Sequence, residues 1–490
     1  MLTSLSLPPF NYFMINFFSF TLFFLFLIKK PDQNKKLFFF YGWLFGFGYF
    51  VTNLYWISIS LTFDQNFKFL IPLTVILIPT FLASFYGLIS YIFIILKPKK
   101  IISAFLIFSL IFGIIEFIRG SILTGFPWNL IAYSLSDQLN ILSINSIIGT
   151  YGLNLFCISL FTSPALFILK KEIKNLVILI FFLISTLGFH IFGSFYKEKL
   201  NIAVKETYDF KIRVIGSNIG LERFYSNMDS YAIIKDLIEI SKPELNEKTI
   251  FVWPEGILTN ISYENSDEYS SLFRKSFNEN HLLLIGTNSE SFNNGSKVFF
   301  NSLSLYDNEL KLLKSYNKIN LVPFGEFLPL ENVLKKIGLR SLTNNYQSFT
   351  SGNKREIIEI QQQRNILKIL PLICYEIIYS GRLFDNPNFD LIINISEDGW
   401  FGDSIGPKQH FTHSIFRAIE SGKYVIRSSN NGIAAIINPW GIVEKKINFG
   451  HSGYMDLKEI SKIQPTIFSK YGNKIFGLLI LLYIFLIFSF

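Results

Sequence analysis

Cysteine is almost missing from this chain: two are present among 490 residues, Cys157 inside an apolar run and Cys374 far downstream. Two thiols so placed exclude a disulfide framework and leave Cys374 a free thiol. Charge is sparse as well, at 17% of residues, with 45 basic side chains against 36 acidic ones for a formal net charge of +9. That surplus does not point to nucleic acid, because the lysines form short clusters between apolar runs and no nucleic-acid motif accompanies them. Histidine numbers five. His410 and His413 are spaced for one face of a helix, yet no carboxylate or third histidine stands at ligand spacing, so a metal is not expected. The excess lies elsewhere. Half of the residues are hydrophobic and 55 are phenylalanine, more than a soluble enzyme carries, and the surplus belongs in lipid.

A bilayer core takes roughly 20 apolar residues per helix. Six stretches before residue 200 qualify: Phe10 to Ile28, Phe38 to Leu61, Phe69 to Leu96, Ile101 to Ile118, Leu142 to Leu169 and Leu176 to Phe195; a seventh runs from Ile475 to Phe490. No positive charge precedes the first and no small-residue cleavage site follows it, so it reads as a span rather than a secretory signal. Lysines orient the spans, since short cytoplasmic loops hold an excess of Lys and Arg. Lys29, Lys30, Lys35 and Lys36, then Lys97, Lys99 and Lys100, then Lys170, Lys171 and Lys174 fall in loops one, three and five; loops two and four carry only Lys68 and Arg119. Loops one, three and five are then cytoplasmic, and the amino terminus and everything after Phe195 lie outside.

Between about Lys197 and Lys474 the pattern turns to short β-rich runs separated by amphipathic stretches. Strands are expected at Ile212 to Ser217, Thr249 to Trp253, Leu282 to Gly286, Val298 to Tyr306, Asn365 to Ile373, Asp390 to Ile395, Tyr424 to Ser429 and Ile433 to Asn438. Helices are expected at Met228 to Lys242, Ser266 to Asn278 and Pro407 to Gly422, the last opening on proline and closing on glycine. The expected division is a six-helix membrane domain over 1–196, an α/β sandwich over 197–474 and a terminal membrane helix over 475–490.

Three points of the polar segment carry chemistry. TIFVWPE, Thr249 to Glu255, reads as a strand stopped by Pro254 with a carboxylate just beyond it, beside Trp253, and such a carboxylate suits a general base. In SYNKINLVPFGEFLPL, Ser315 to Leu330, Lys318 sits among apolar residues before a turn marked by Pro323 and Gly325, where an ammonium could meet developing negative charge. NILKILPLIC, Asn365 to Cys374, reads as a buried strand that ends on a lone cysteine, so the sulfur stands at a strand terminus and the Tyr375 amide could face a reacting carbonyl. Each alone is an ordinary residue: an exposed loop glutamate, a surface lysine, an inert buried thiol. Together they form a set.

The three segments, WPE, YNK with LVPFGEFLPL, and LICYE, resemble in order the Glu, Lys and Cys triad of the nitrilase superfamily, and the longer strings resemble its membrane-bound branch, the apolipoprotein N-acyltransferases. The resemblance continues through Asn394 to Phe411, Arg417 to Gly441 and Glu116 to Asn129. It implies a multi-pass α-helical membrane domain joined to a four-layer α-β-β-α nitrilase-like sandwich. It further implies that Cys374 takes an acyl chain from a phospholipid, typically phosphatidylethanolamine, as a thioester. Glu255 would be the general base and Lys318 the oxyanion stabiliser. The acceptor would be the free α-amino group of the diacylglyceryl-cysteine that begins a bacterial apolipoprotein. Glu326, Tyr375 and Glu376 match supporting positions, and Tyr225 stands where a tryptophan is usual; Glu397 and Gly399 stand where Asn and Ala are usual. The implied location is the bacterial inner membrane with the catalytic domain on the periplasmic side, and no cofactor is required.

Rival patterns are present. GDSIG, Gly402 to Gly406, fits a G-x-S-x-G nucleophile elbow, with Ser404 and a later His451 making a lipid esterase. A Cys374/His410 pair would be protease-like. A membrane-tethered amidase would pass the thioester to water, and a transporter or scaffold would have no use for the triad. Glu116 and Arg119, at the outer end of a span, read as an i, i+3 ion pair or a headgroup contact.

Overall fold

Where water is excluded, a chain keeps its backbone groups paired only by coiling, and the first two hundred residues do so. In the computed structural model, which describes residues 1–31, 34–224, 229–258, 266–293, 296–329, 336, 348–362 and 365–490, they form eight helices. These are α1 (Ile15–Lys29), α2 (Lys35–Leu54), α3 (Ile71–Leu96), α4 (Ile101–Arg119), the short α5 (Leu139–Leu142), α6 (Asn145–Thr162), α7 (Pro164–Leu169) and α8 (Ile173–Asn201). Among the described residues five helical stretches are long and apolar enough to cross a membrane: 35–62, 65–96, 101–119, 145–169 and 173–201. The first and last of the seven expected spans are apolar but shorter. The helix α1 has 15 residues and rises about 22 Å, because the chain before Ile15 turns through Pro8 and Pro9 instead of extending it. Gly149 kinks α6 with φ +66°, and a Cβ there would also lie 2.0 Å from the Phe468 ring.

After α8 the hydrophobic period changes from helical to alternate. Strands β1 (Val204–Ser217), β2 (Thr249–Val252), β3 (His281–Asn293), β4 (Ser296–Tyr306), β5 (Leu312–Asn317), β6 (Ile358–Gln362), β7 (Asn365–Ile373), β8 (Leu391–Glu397), β9 (Tyr424–Asn430), β10 (Ala434–Ile437), β11 (Val443–Ile447) and β12 (Gly453–Lys462) form one sheet. Its order is β5-β4-β3-β2-β1-β9-β8-β7-β6, with β12 on β1 and β10 joining β9 to β11. The central pairs β1/β2, β2/β3, β7/β8 and β8/β9 are parallel, so each of these strands ends on the same rim. The sheet folds over on itself and brings β4 against β7 and β5 against β6.

Alternation then sorts the side chains into layers. Ile250 and Val252 of β2 meet Ile369, Ile393 and Ile426 in the space between the two halves. Phe251 and Trp253 point the other way, onto α9 (Ser230–Ser241) and α10 (Ser266–Ser276). On the far side Leu370, Ile392 and Val425 pack under α11 (Gly406–Ser421), and that cluster runs without a break into Phe112, Leu153 and Phe161 of the membrane helices. This is the expected four-layer α-β-β-α order, with its last layer continuous with the helical bundle. The chain closes through α12 (Ile467–Tyr471) and α13 (Lys474–Ser489).

Candidate active site

The strand β7 ends at Ile373, and Cys374 opens a 3-10 turn, Cys374–Ile378, with φ +48°. A side chain in that left-handed region costs about 1–3 kcal/mol and persists only where its surroundings hold it. Here the restraints are visible. The Glu376 carboxylate accepts from the Ile373 N–H at 2.9 Å, and the Cys374 carbonyl is approached by Asn394 Nδ2 at 3.5 Å and His410 Nε2 at 3.3 Å. Cys374 is 7% exposed. Burial first, then the neighbouring Glu255 and Asp398 carboxylates, push its thiol well above the usual range, while Lys318 and the Ser396 hydroxyl pull the other way.

Facing it, Glu255 follows β2 through Pro254. Its Oε1 accepts from Asn301 Nδ2 at 2.7 Å and lies 3.2 Å from Lys318 Nζ, and its Oε2 accepts from the backbone N–H of Glu397 at 2.8 Å. Gly286 makes this packing possible, since a Cβ there would lie 2.5 Å from the Glu255 Cα. Lys318, just past β5, also reaches Glu326 at 2.9 Å. Glu326 accepts further from Asn301 Nδ2 at 2.7 Å and from the Val322 N–H at 2.8 Å. One buried ammonium thus sits between two buried carboxylates. Burial alone would depress Lys318, but Glu255, Glu326 and Cys374 together hold it well above its ordinary value, so it stays cationic. Glu326 is raised, by burial and by the Glu255 charge against the pull of Lys318.

Glu376 is fully buried and links the two sides of the site. It accepts from Tyr316 Oη at 2.7 Å, from the amides of Ile319 and Asn320 at 3.1 and 3.2 Å, and from Arg355 Nη2 at 2.5 Å. The turn after Lys318 and the turn at Cys374 are therefore tied to one carboxylate. The Tyr375 phenol points out of the site and donates to the Gly125 carbonyl at 2.9 Å, beside Tyr379 donating to Thr124 at 2.8 Å. Both bonds fix the Cys374 turn to the loop at the C-terminal end of α4. Tyr225 lies outside the described residues.

One expectation needs correction, and the rival patterns find other roles. Trp253 does not flank Glu255; its indole donates to Ser241 Oγ at 2.9 Å and packs on Phe273, because Pro254 ends the alternation and turns the next residue to the rim. Ser404 donates to the Phe401 carbonyl at 2.8 Å and accepts from the Gly406 N–H at 3.0 Å, so its hydroxyl is engaged in the turn before α11. His451, in the turn before β12, faces the Phe449 carbonyl. His410 meets the carbonyl of Cys374, not its thiol. His413 packs its ring on Tyr133 and Trp128. Arg119 binds Glu116, the i, i+3 ion pair expected as one of two readings, and also the Phe126 carbonyl.

Three contributors were not assigned these roles from the sequence. Asn301 sits mid-strand in β4 and bridges both carboxylates. Glu397, held by Arg223, Asn430 and its own turn amide at Gly399, offers Glu255 its backbone N–H. Asp398, His410 and Arg427 form a buried cluster under the Cys374 turn: His410 Nδ1 lies 2.8 Å from Asp398 Oδ1 and 3.0 Å from Arg427 Nη2, which is 2.8 Å from Asp398 Oδ2. Arg427 and His410 hold the Asp398 carboxyl far below its usual range against the effect of burial. Burial and the Arg427 cation lower His410.

The arrangement can ionise a thiol, stabilise an oxyanion and hand a proton on, which is the equipment of acyl transfer. Comparison with known proteins agrees. The family model described as apolipoprotein N-acyltransferase N-terminal domain matches residues 1–162, and that described as carbon-nitrogen hydrolase matches residues 232–455. The protein named apolipoprotein N-acyltransferase of Brucella melitensis is 30% identical over 470 residues, covering 92% of this chain and 87% of the relative. That of Rickettsia prowazekii is 32% identical over 465 residues, covering 93% and 90%. Among solved structures, an amidase of the nitrilase superfamily from Nesterenkonia AN1 aligns with 52% of this chain and 93% of its own, at 12% identity and a TM-score of 0.36.

Proposed function

This chain belongs to the apolipoprotein N-acyltransferase family, and we propose that Cys374 is the atom-by-atom relay of its acyl transfer. The protein is a membrane acyltransferase of the nitrilase superfamily that N-acylates lipoproteins. In the first half-reaction Glu255 takes the proton of the Cys374 thiol, and the sulfur attacks the acyl ester carbonyl of a phospholipid, phosphatidylethanolamine being the expected donor. The C=O electrons move to oxygen beside the Lys318 ammonium. Collapse breaks the ester C–O bond, Glu255 returns its proton to the leaving alkoxide, and a lysophospholipid departs from a thioester. In the second, the free α-amino group of a diacylglyceryl-cysteine attacks that thioester, Glu255 accepts the amine proton, and the amide forms as the thiol is restored. Two half-reactions through one covalent intermediate make the kinetics ping-pong.

The observation that carries this reading is the Glu255–Lys318–Glu326 cluster within electrostatic reach of a cysteine held at a strained strand end. Glu326 keeps Lys318 in place and shares its charge. Both substrates are lipid-anchored, which fits a site tied through Tyr375 and Tyr379 to the outer loop of a membrane bundle. We infer that the membrane is the bacterial cytoplasmic membrane, that residues 197–474 face the periplasm between membrane segments 1–196 and 475–490, and that the lysine alternation reports this orientation.

The test is to incubate purified protein with phospholipid and a diacylated lipopeptide and to search by mass spectrometry for the N-acylated product and for an acyl adduct on Cys374. Wild type should give both and Cys374→Ala neither. Equal activity in the two would sink the mechanism.

A further inference from the structure

Proton transfer and one oxyanion donor are provided by Glu255 and Lys318, yet the peptide bond that follows the nucleophile is held by residues with no part in those steps. The Cys374 carbonyl turns toward His410 of α11, whose Nε2 lies at 3.3 Å, and toward Asn394 of β8, whose Nδ2 lies at 3.5 Å. A carbonyl oxygen only accepts, so the contact is a hydrogen bond in the ring form that carries hydrogen on Nε2. A trans peptide is planar and its N–H points opposite to its C=O. The Tyr375 N–H therefore points away from α11, toward the inner face to which the Cys374 side chain belongs. Tyr375 also stands in the first turn of a 3-10 helix, where an amide has no carbonyl of its own helix to bond.

The ring that holds this carbonyl is itself clamped. Asp398 and Arg427 fix Nδ1. Trp128 stacks on the imidazole at 5.2 Å and 24°, and Phe401 meets its edge at 5.5 Å and 83°. Trp128 comes from the loop beyond α4, and its indole donates to Gln409 at 2.9 Å, next to His410 in sequence. The membrane half thus sets the ring that sets the peptide plane.

We propose that His410 is a positioning residue for acyl transfer: by gripping the Cys374 carbonyl it aims the Tyr375 N–H at the oxyanion formed when the thiolate attacks, as a second donor beside Lys318. The inference rests on the thioester mechanism above. Its chemical signature is selective, because only a carbonyl substrate develops an oxyanion. Iodoacetamide loses iodide from a saturated carbon, so alkylation of Cys374 needs the thiolate but no oxyanion donor.

The experiment uses the full-length protein in detergent and measures two rates, single-turnover acylation of Cys374 by phospholipid and alkylation of Cys374 by iodoacetamide. In His410→Phe, which keeps the ring stack and removes the donor, acylation should fall about 100-fold, the scale of one oxyanion donor, with alkylation within about twofold of wild type by the same argument. His410→Gln, whose amide reaches the carbonyl, should recover most of the acylation rate. His410→Asn, the same amide one methylene shorter, should not, and this polar pair supplies the contrast if His410→Phe does not fold. Parallel loss of both rates in His410→Phe, or equal acylation in the Gln and Asn variants, would overturn the inference. Wild type that forms no thioester would overturn the proposed function and this inference with it; wild type that forms one, beside an unimpaired His410→Phe, overturns this inference alone.

Discussion

The Glu420 carboxylate of α11 accepts a hydrogen bond from the backbone amide of Thr150 at 2.7 Å, and so caps the half-helix that restarts after the Gly149 kink in α6. The same side chain accepts from Thr150 Oγ1 and Ser380 Oγ and pairs with Arg417 at 2.8 Å. A residue of the sandwich thereby completes a helix of the membrane bundle, where a negative charge at a helix start is favourable.

Glu420→Ala should uncouple the two halves. It strands the buried Arg417 guanidinium and leaves the Thr150 amide without its cap, a loss of about 3–5 kcal/mol by the scale of broken buried ion pairs. The apparent Tm in detergent should drop, and acyl transfer should fall with it because the Cys374 turn leans on the same interface. Glu420→Gln keeps an acceptor for Thr150 and should lie between. An unchanged Tm for the alanine variant would mean that the interface does not depend on this carboxylate.

A second prediction concerns proton affinity. Burial and the Glu255 charge keep the Cys374 thiol protonated above its usual range. In wild type the rate of alkylation by iodoacetamide should therefore keep rising beyond the pH at which an ordinary cysteine has levelled off. Glu255→Gln deletes a negative charge that raises the thiol, so its profile should move to lower pH. Acyl transfer in the same variant should nevertheless fall about 10²- to 10⁴-fold, the contribution of a general base. A thiol easier to ionise in a slower enzyme is the expected signature. A profile that moves to higher pH would contradict the placement of the Glu255 charge beside the sulfur.

Ser404→Ala tests the rival elbow. Its hydroxyl accepts the Gly406 amide at the start of α11, and losing such a hydrogen bond costs about 0.5–1.5 kcal/mol. Thermal unfolding should shift slightly while acyl transfer and the adduct on Cys374 persist. Loss of activity with an intact Cys374 adduct would reopen the esterase reading.

Strand β7 was readable to the residue because its second half, Ile369 to Ile373, is apolar and buried on both faces, and the run is cut by the cysteine turn. Strands β5, β6, β11 and β12 were not expected, and for β11 the reason is exposure: VEKKI shows water three charged side chains in a row. Such strands carry the polar face of an edge and lose the alternation that marks a half-buried strand. Glu255, Lys318 and Cys374 were legible as a set through resemblance. Asn301 and the Asp398–His410–Arg427 cluster were not, since their meaning lies in which strands neighbour one another, and β4 lies against β7 only once the sheet has folded over.

Glu376 and Arg355 give the last prediction. The carboxylate accepts from Tyr316, from the amides of Ile319, Asn320 and Ile373, and from Arg355. Every one of those partners is a donor. Glu376→Gln replaces one acceptor oxygen by an NH2 group that would face donors, and it leaves Arg355 buried without a counter-charge. The single variant should lose about 3–5 kcal/mol and also acyl transfer, because the Lys318 and Cys374 turns part. Arg355→Met in the same background removes the stranded cation, so the double variant should be more stable than the sum of the single losses predicts, by about 1–3 kcal/mol as for coupled neighbours. Activity should not return with that stability, since the amides of Ile319, Asn320 and Ile373 still lack their shared acceptor. Unfolding curves for the four proteins of the cycle decide the first point and acylation of Cys374 the second; strictly additive losses would show that the ion pair is incidental and that the backbone bonds alone give Glu376 its role.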